Sequence, residues 1–311
     1  MIANPQQEMI KPEDLAARQL ELLKKQVKWA AEKSRFYREK FTAAGVTAKT
    51  IQSLEDIENL PVTESLELAG RAYDRLTMPL SSVLRMGRAE GQLAFYGQGD
   101  IGRHVETMTR ALVAAGLHNA SVAALIGDLA DSRLLDVQYA LEFVGAAVFA
   151  AGADAAAWSE ALDVGADTLI GFEADLVHLE ETLRAQGETI ADAPCRRIIC
   201  LQPDGLTSNH QGKWEREGKK VTVLYAPASL GAAGFFYPCS EGGCHLAADY
   251  YLAELLDEEG DAADEGELYL TSLQAEAMPL LRWRTGIYLR RVKDPCDCGR
   301  TAPCYLAFGN R

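Results

Sequence analysis

Apolar residues recur at helical spacing through the first forty-five positions. Leu15, Leu20, Leu23, Val27, Trp29 and Ala30 set the stripe, and the run SRFYREKF at residues 34–41 continues it. This spacing predicts helix over residues 12–45, ended by Gly45 in the manner of a left-handed cap. A short helix over residues 53–60 is stopped by Pro61, and residues 63–68 look like another helix start. Residues 84–99 hold four glycines and predict loop and hairpin. Beyond them the pattern alternates. Helical stretches at 100–116, 132–144, 155–163, 174–186 and 208–217 are separated by short apolar runs at 121–126, 146–150, 168–171, 197–201 and 221–224. Such alternation predicts an α/β fold: doubly wound, mostly parallel sheets with helices on both faces. From about Phe235 the chain turns to antiparallel-looking strands. The expected division is a helical segment at 1–80, an α/β domain at 81–234, and a small β-rich subdomain at 235–311.

Composition narrows the function classes. The 311 residues are 48% hydrophobic, enough for a sizeable core, and the net charge is −14. That balance argues against nucleic acid, whose binding rests on lysine and arginine neutralising phosphates, and against anionic membrane surfaces. The acidic run at 257–267 reads as a solvated turn. The N-terminus is polar and the apolar runs are too short to span a bilayer. Seven cysteines, an odd number with several in metal-like spacings, fit a reducing compartment, so the expected location is cytoplasmic.

The β-rich stretch opens with CSEGGCH at 239–245 and closes with CDCGR at 296–300. Thiolates and a neutral imidazole are the donors of a closed tetrahedral zinc site. A glycine after the second cysteine of Cys-x-Cys allows a tight turn with amides facing the sulfurs. The expected ligands are Cys239, His245, Cys296 and Cys298, with Cys244 as an alternative and Cys304 as a weaker candidate. With no open carboxylate position, the zinc would be structural and would pin the start of the segment to its end.

Several segments together resemble the adenylate-forming superfamily, and most closely phenylacetate-CoA ligases and the enzymes that adenylate a deazaflavin coenzyme. They are SRFYREKF at 34–41, Gly45-Val46, SLEDIENLP at 53–61, LEFVGAAV at 141–148, Gly266-Glu267-Leu268, AMPLLRWRTG at 277–286 and CGRT at 298–301. They run in the family's order over nearly the whole chain and correspond to its N-terminal portion; some members also carry the zinc-type cysteines and histidine. The resemblance implies a carboxylate-activating ligase that uses ATP, magnesium and coenzyme A.

The chain departs from that pattern at four places. The family's Ser/Thr/Gly-rich phosphate loop ends in lysine, whereas here no serine, threonine or lysine lies between Gly87 and Gly99. In the stretch LYAPASLG, Tyr225 matches the family tyrosine that stacks on adenine, but Ser229 or Leu230 replaces the magnesium-binding glutamate. In the family's RTGD, Arg284 is kept, and Ile287 replaces the aspartate that takes the ribose hydroxyls. The family's C-terminal lid domain is also expected to be absent, with residues 309–311 at its hinge. The acyl pocket would be remodelled at 126–139, where a glycine-rich segment is shortened, and at 171–175. Binding of ATP or AMP with magnesium is therefore not expected, although Tyr225, Ser229 and Arg284 are the residues that would touch a nucleotide.

The remaining candidates are structural on sequence grounds. Asp128 and Asp131 read as a helix cap, and Cys195 and Cys200 as core thiols. His104, His118, His178 and His210 have no partner at ligand or triad spacing. Arg282 and Arg284 are expected to pair with the acidic turn. The resulting expectation is a degenerate homologue that holds a small carboxylate, a nucleotide-like ligand or a partner protein. The alternative is an AMP-forming acyl- or aryl-CoA ligase completed by a separately encoded C-terminal domain.

Overall fold

The computed structural model describes residues 1–47, 49–152 and 154–307; the expected hinge at 309–311 lies outside them. The chain forms two compact bodies, Met1–Ala3 with His104–Pro238, and Asn4–Arg103 with Cys239–Arg311. A helix at Gln98–Ala115 begins in the second and continues in the first.

In the second body, β1 (Arg85–Ala89) and β2 (Gln92–Tyr96) pair as an antiparallel hairpin. Its two turn residues, Glu90 and Gly91, both have positive φ, as a tight two-residue hairpin turn requires. The helical pattern at residues 12–45 resolves into two helices, Pro12–Lys33 and Arg35–Ala44. Periodicity misses the break because Ser34 adopts an extended backbone without interrupting the apolar stripe. Its Oγ caps the second helix by accepting from the Tyr37 amide at 3.3 Å.

The first body carries five parallel strands: β3 (Val122–Ile126), β4 (Ala147–Ala150), β5 (Thr168–Phe172), β6 (Arg197–Gln202) and β7 (Lys220–Tyr225). Their order is β4-β3-β5-β6-β7. Each crossover carries a helix: Ser132–Val144, Ala155–Asp163, Glu173–Ala185 and Gln211–Arg216. Because the chain goes from β3 to β4 on one side and returns to β5 on the other, the strand order reverses between β3 and β5. Ligands of open α/β sheets bind outside the carboxyl ends of the strands at such a reversal. The two strands approach closely there: a Cβ on Gly171 would lie 2.5 Å from the Ile126 carbonyl oxygen. One face of the sheet is filled by Trp158, Trp214, Leu169, Leu179, Ile198 and Cys200. A short strand, β8 (Phe236–Pro238), ends this body's chain.

The remaining strands of the second body are β9 (Cys244–Leu246), β10 (Tyr251–Leu256), β11 (Glu265–Ser272), β12 (Trp283–Arg291) and β13 (Cys304–Ala307). They pair antiparallel in the order β10-β11-β12-β13-β9. Gly266 has to be glycine, since a Cβ there would meet the Leu256 carbonyl oxygen at 2.2 Å and part β10 from β11.

Trp158 is fully buried beneath the parallel sheet. Trp158→Ala is expected to cost about 3–5 kcal/mol, read as a lower urea midpoint with an unchanged slope.

Candidate functional site

Two places in the structure collect chemistry, and the first is a thiol–imidazole cluster. The loop after β8 brings Cys239, β9 brings His245, and the turn before β13 brings Cys296 and Cys298. One ligand atom from each lies within 4.8 Å of all the others. Cys239 Sγ is 3.1 Å from Cys296 Sγ, and Cys298 Sγ is 3.2 Å from His245 Nε2. His245 is fully buried, and its Nδ1 donates to the Ala302 carbonyl at 2.8 Å. That bond assigns the proton to Nδ1 and turns the Nε2 lone pair toward the sulfurs, the usual outer-shell support of a metal-bound histidine.

The protonation chemistry suits a cation. Burial pushes His245 below its ordinary pKa, so the ring is neutral at neutral pH. Burial raises the Cys239 thiol and takes Cys296 up to about 12. Burial opposes ionisation of Cys298 too, yet the Arg300 amide and the Cys296 thiol hold it below the ordinary thiol value. Crowded thiols that resist ionising are what a divalent cation relieves. Three sulfurs and one nitrogen with no carboxylate fit a closed structural zinc. Cys244 stands apart from the four: it is buried, and its thiol faces the Tyr305 carbonyl at 3.7 Å. Cys304 pairs with His245 across β13 and β9 and borders the cluster.

The second place is the carboxyl end of β3 and β5. Asp131 caps the helix Ser132–Val144 by accepting from the Arg133 amide, as expected of a cap. It also holds the buried Arg133 guanidinium, with Nε and Nη2 at 2.9 and 2.6 Å from its two oxygens. Arg133 Nη1 donates to the Ala226 carbonyl at 2.5 Å, and the guanidinium lies 4.4 Å over the Phe172 ring. Asp175 sits against Gly127, where a Cβ would be 2.7 Å from its carboxylate. Burial raises the Asp175 pKa, and Asp131 and Asp128 add to the shift. The two segments expected to remodel an acyl pocket, 126–139 and 171–175, therefore meet at the strand reversal.

The expected nucleotide residues are spread over both bodies. The Tyr225 ring is only 1% exposed and packs on Phe235, with centroids 5.5 Å apart. Ser229 is buried. Arg284 is half exposed and donates to Glu267 at 2.8 Å, with Glu64 at 3.8 Å; the Glu267 bond raises its pKa. Ile287 is buried on β12 and offers no acceptor. Arg282 pairs with Glu254 on β10 at 3.2 Å, ahead of the acidic turn.

Two histidines do have carboxylate partners that sequence spacing missed. His104 Nδ1 lies 3.2 Å from Asp136 Oδ2, and His210 Nδ1 lies 2.8 Å from Glu173 Oε1. The partners come from different helices, thirty or more positions away, so no local spacing announces them.

The fold built by these elements is that of the adenylate-forming CoA ligases. A 2-hydroxyisobutyryl-CoA ligase, solved in an open conformation with 2-HIB-AMP and CoA, superposes with a TM-score of 0.83 at 20% identity. The match covers 98% of this chain and 77% of that one. A benzoate CoA ligase from Burkholderia xenovorans superposes at 0.52 with 14% identity, over 75% of this chain and 50% of that one. In sequence the chain resembles the phenylacetate-coenzyme A ligases. It is 27% identical to that of Thermus thermophilus over 97% of this chain and 71% of the relative. It is 26% identical to that of Escherichia coli over 88% of this chain and 66% of the relative. The chain thus spans roughly two thirds of these curated relatives. No family model matches it. Among the described residues, no helix is long and apolar enough to cross a membrane.

Metal analysis of the purified protein is expected to return close to one zinc per chain. Cys298→Ser should lose that zinc, and Cys244→Ser should keep it. Retention should fall as the pH drops below about 6, because the ligands must give up protons to bind. In the metal-free protein His245 acts in the same direction. Its contribution to stability is complete above the ordinary imidazole value of about 6.5 and is lost as pH falls through its lower folded pKa.

Proposed function

We propose that this chain is the large body of an AMP-forming acyl- or aryl-CoA ligase of the phenylacetate-CoA ligase type. It would hold a small carboxylate outside the carboxyl ends of β3 and β5 and act with the part of the ligase outside the matched two thirds of its relatives. The observation that carries this reading is the agreement of two comparisons. Sequence likeness to phenylacetate-CoA ligase over 97% of the chain and fold likeness to a CoA ligase over 98% point to one class. The strand reversal supports it, because such sheets bind ligands there, and the Asp131–Arg133 pair laid over Phe172 braces that corner. The Cys239, His245, Cys296, Cys298 cluster would hold a structural zinc, with no chemical step assigned to it.

A second reading rests on one specific observation, the replacement of groups that grip ATP. The hairpin β1–β2 offers no serine, threonine or lysine, Ser229 or Leu230 stands in place of the magnesium glutamate, and Ile287 stands in place of the ribose aspartate. Each unmet hydrogen bond to a buried ribose costs on the order of 1–3 kcal/mol. On this reading the chain is a non-adenylating module that binds a ligand or a partner protein.

Carboxylate-dependent pyrophosphate exchange separates the two readings. The ligase reading expects phenylacetate or a related acid to drive exchange once the chain is combined with the remaining third of a phenylacetate-CoA ligase. Absence of exchange in that combination, with a saturable heat on titrating the acid alone, would leave the binding module.

A further inference from the structure

The turn that carries Cys296 and Cys298 also carries Arg300, which is only 5% exposed. Its Nε donates to Glu8 Oε2 at 2.6 Å, and Glu8 is wholly buried. Glu8 belongs to a one-turn helix, Pro5–Glu8, near the N-terminus. A helix this short cannot stand alone in water, because the nucleation cost exceeds what one turn returns. It therefore depends on anchors, and several lead to the cysteine turn. The Thr301 amide donates to the Glu8 carbonyl at 3.1 Å, and Thr301 Oγ1 donates to the Ile10 carbonyl at 2.5 Å. The other Glu8 oxygen accepts from the Asn4 amide at 2.8 Å and closes the helix on itself.

The opposite side of Arg300 faces the metal ligands. Arg300 follows the ligand Cys298 by two residues, and its amide and guanidinium help to hold that thiol below its ordinary value; the next residue but one, Ala302, accepts from His245 Nδ1 at 2.8 Å. Thus Arg300 stands between a sulfur that a cation would hold and a carboxylate that fixes the N-terminal segment. Zinc, when bound, would hold Cys296 and Cys298 at the start of the turn that presents Arg300.

We propose that metal occupancy of the Cys239, His245, Cys296, Cys298 cluster is transmitted through Arg300 to Glu8, so that zinc docks the N-terminal segment Asn4 to Ile10. This rests on the zinc reading of the cluster. Arg300 is a positioning residue: it stands two residues from a ligand cysteine and donates to a structural carboxylate. Residues 4–10 are a strap whose seating reports the state of the metal centre. Loss of zinc releases the strap while the parallel sheet of the first body keeps its structure.

Hydrogen exchange read by mass spectrometry tests this on the full chain, with zinc bound and after removal by a chelator. Zinc content is measured on the same samples. The amides of Gln7, Glu8 and Met9, bonded within the short helix, are expected to exchange about tenfold faster or more after removal, because a local opening then suffices to expose them. Strands β3 to β7 should exchange as before. Zinc that leaves with no change at residues 7–9, or with an equal rise in β3 to β7, would overturn the coupling. A chain that takes up no zinc at all would overturn the metal reading itself, and the content measurement separates that failure from the first. The double variant Glu8→Met with Arg300→Met removes both buried charges together and so avoids leaving one unpaired. It is expected to keep zinc and to show fast exchange at residues 7–9 in both states. Exchange in the double variant that still follows zinc would sink the proposal.

Discussion

The constraint on which the second body depends is the meeting of four ligand atoms drawn from two ends of one segment. Cys239 and Cys296 are 57 positions apart in the chain, yet their sulfurs are in contact. Between them the chain makes β9 to β12, and β13 then returns to pair with β9 and places Cys304 beside His245. A tetrahedral cation held there would tie the two ends together in the way a disulfide does in an oxidising compartment. One outer partner is already in place: the Ala302 carbonyl orients the imidazole.

The first body follows a different logic. The order of its five parallel strands reverses between β3 and β5, and Asp131, Arg133 and Asp175 gather at the carboxyl ends there. Arg133 is held there by Asp131 and laid over Phe172, so its guanidinium is already oriented. The groups that would hold a triphosphate are weaker. A hairpin closed by Glu90 and Gly91 presents no serine, threonine or lysine side chain, and the buried Ile287 cannot replace a carboxylate.

Much of this is legible in the sequence because the strongest signals are local. Alternating helix and strand patterns between residues 100 and 225 give the parallel sheet, and the paired spacings of Cys239, His245, Cys296 and Cys298 give the cluster. What escapes is set by distant partners. Ser34 breaks a helix without breaking its apolar stripe. His104 and His210 find carboxylates on other helices. Glu8 looks like one more surface glutamate, and only the folded chain shows it sealed against Arg300, 292 positions away. The spacing of the cysteines also leaves open which of Cys239, Cys244 and Cys304 completes the set. The structure brings the first into the group and turns Cys244 toward a backbone carbonyl.

The central claim is that the thiol–imidazole cluster closes the β-rich segment around a zinc ion. X-ray absorption at the zinc edge on the purified protein tests it most directly. The account predicts a four-coordinate shell of three sulfurs at about 2.3 Å and one nitrogen at about 2.0 Å. A shell of oxygen and nitrogen alone, or one with fewer than three sulfurs, would contradict it.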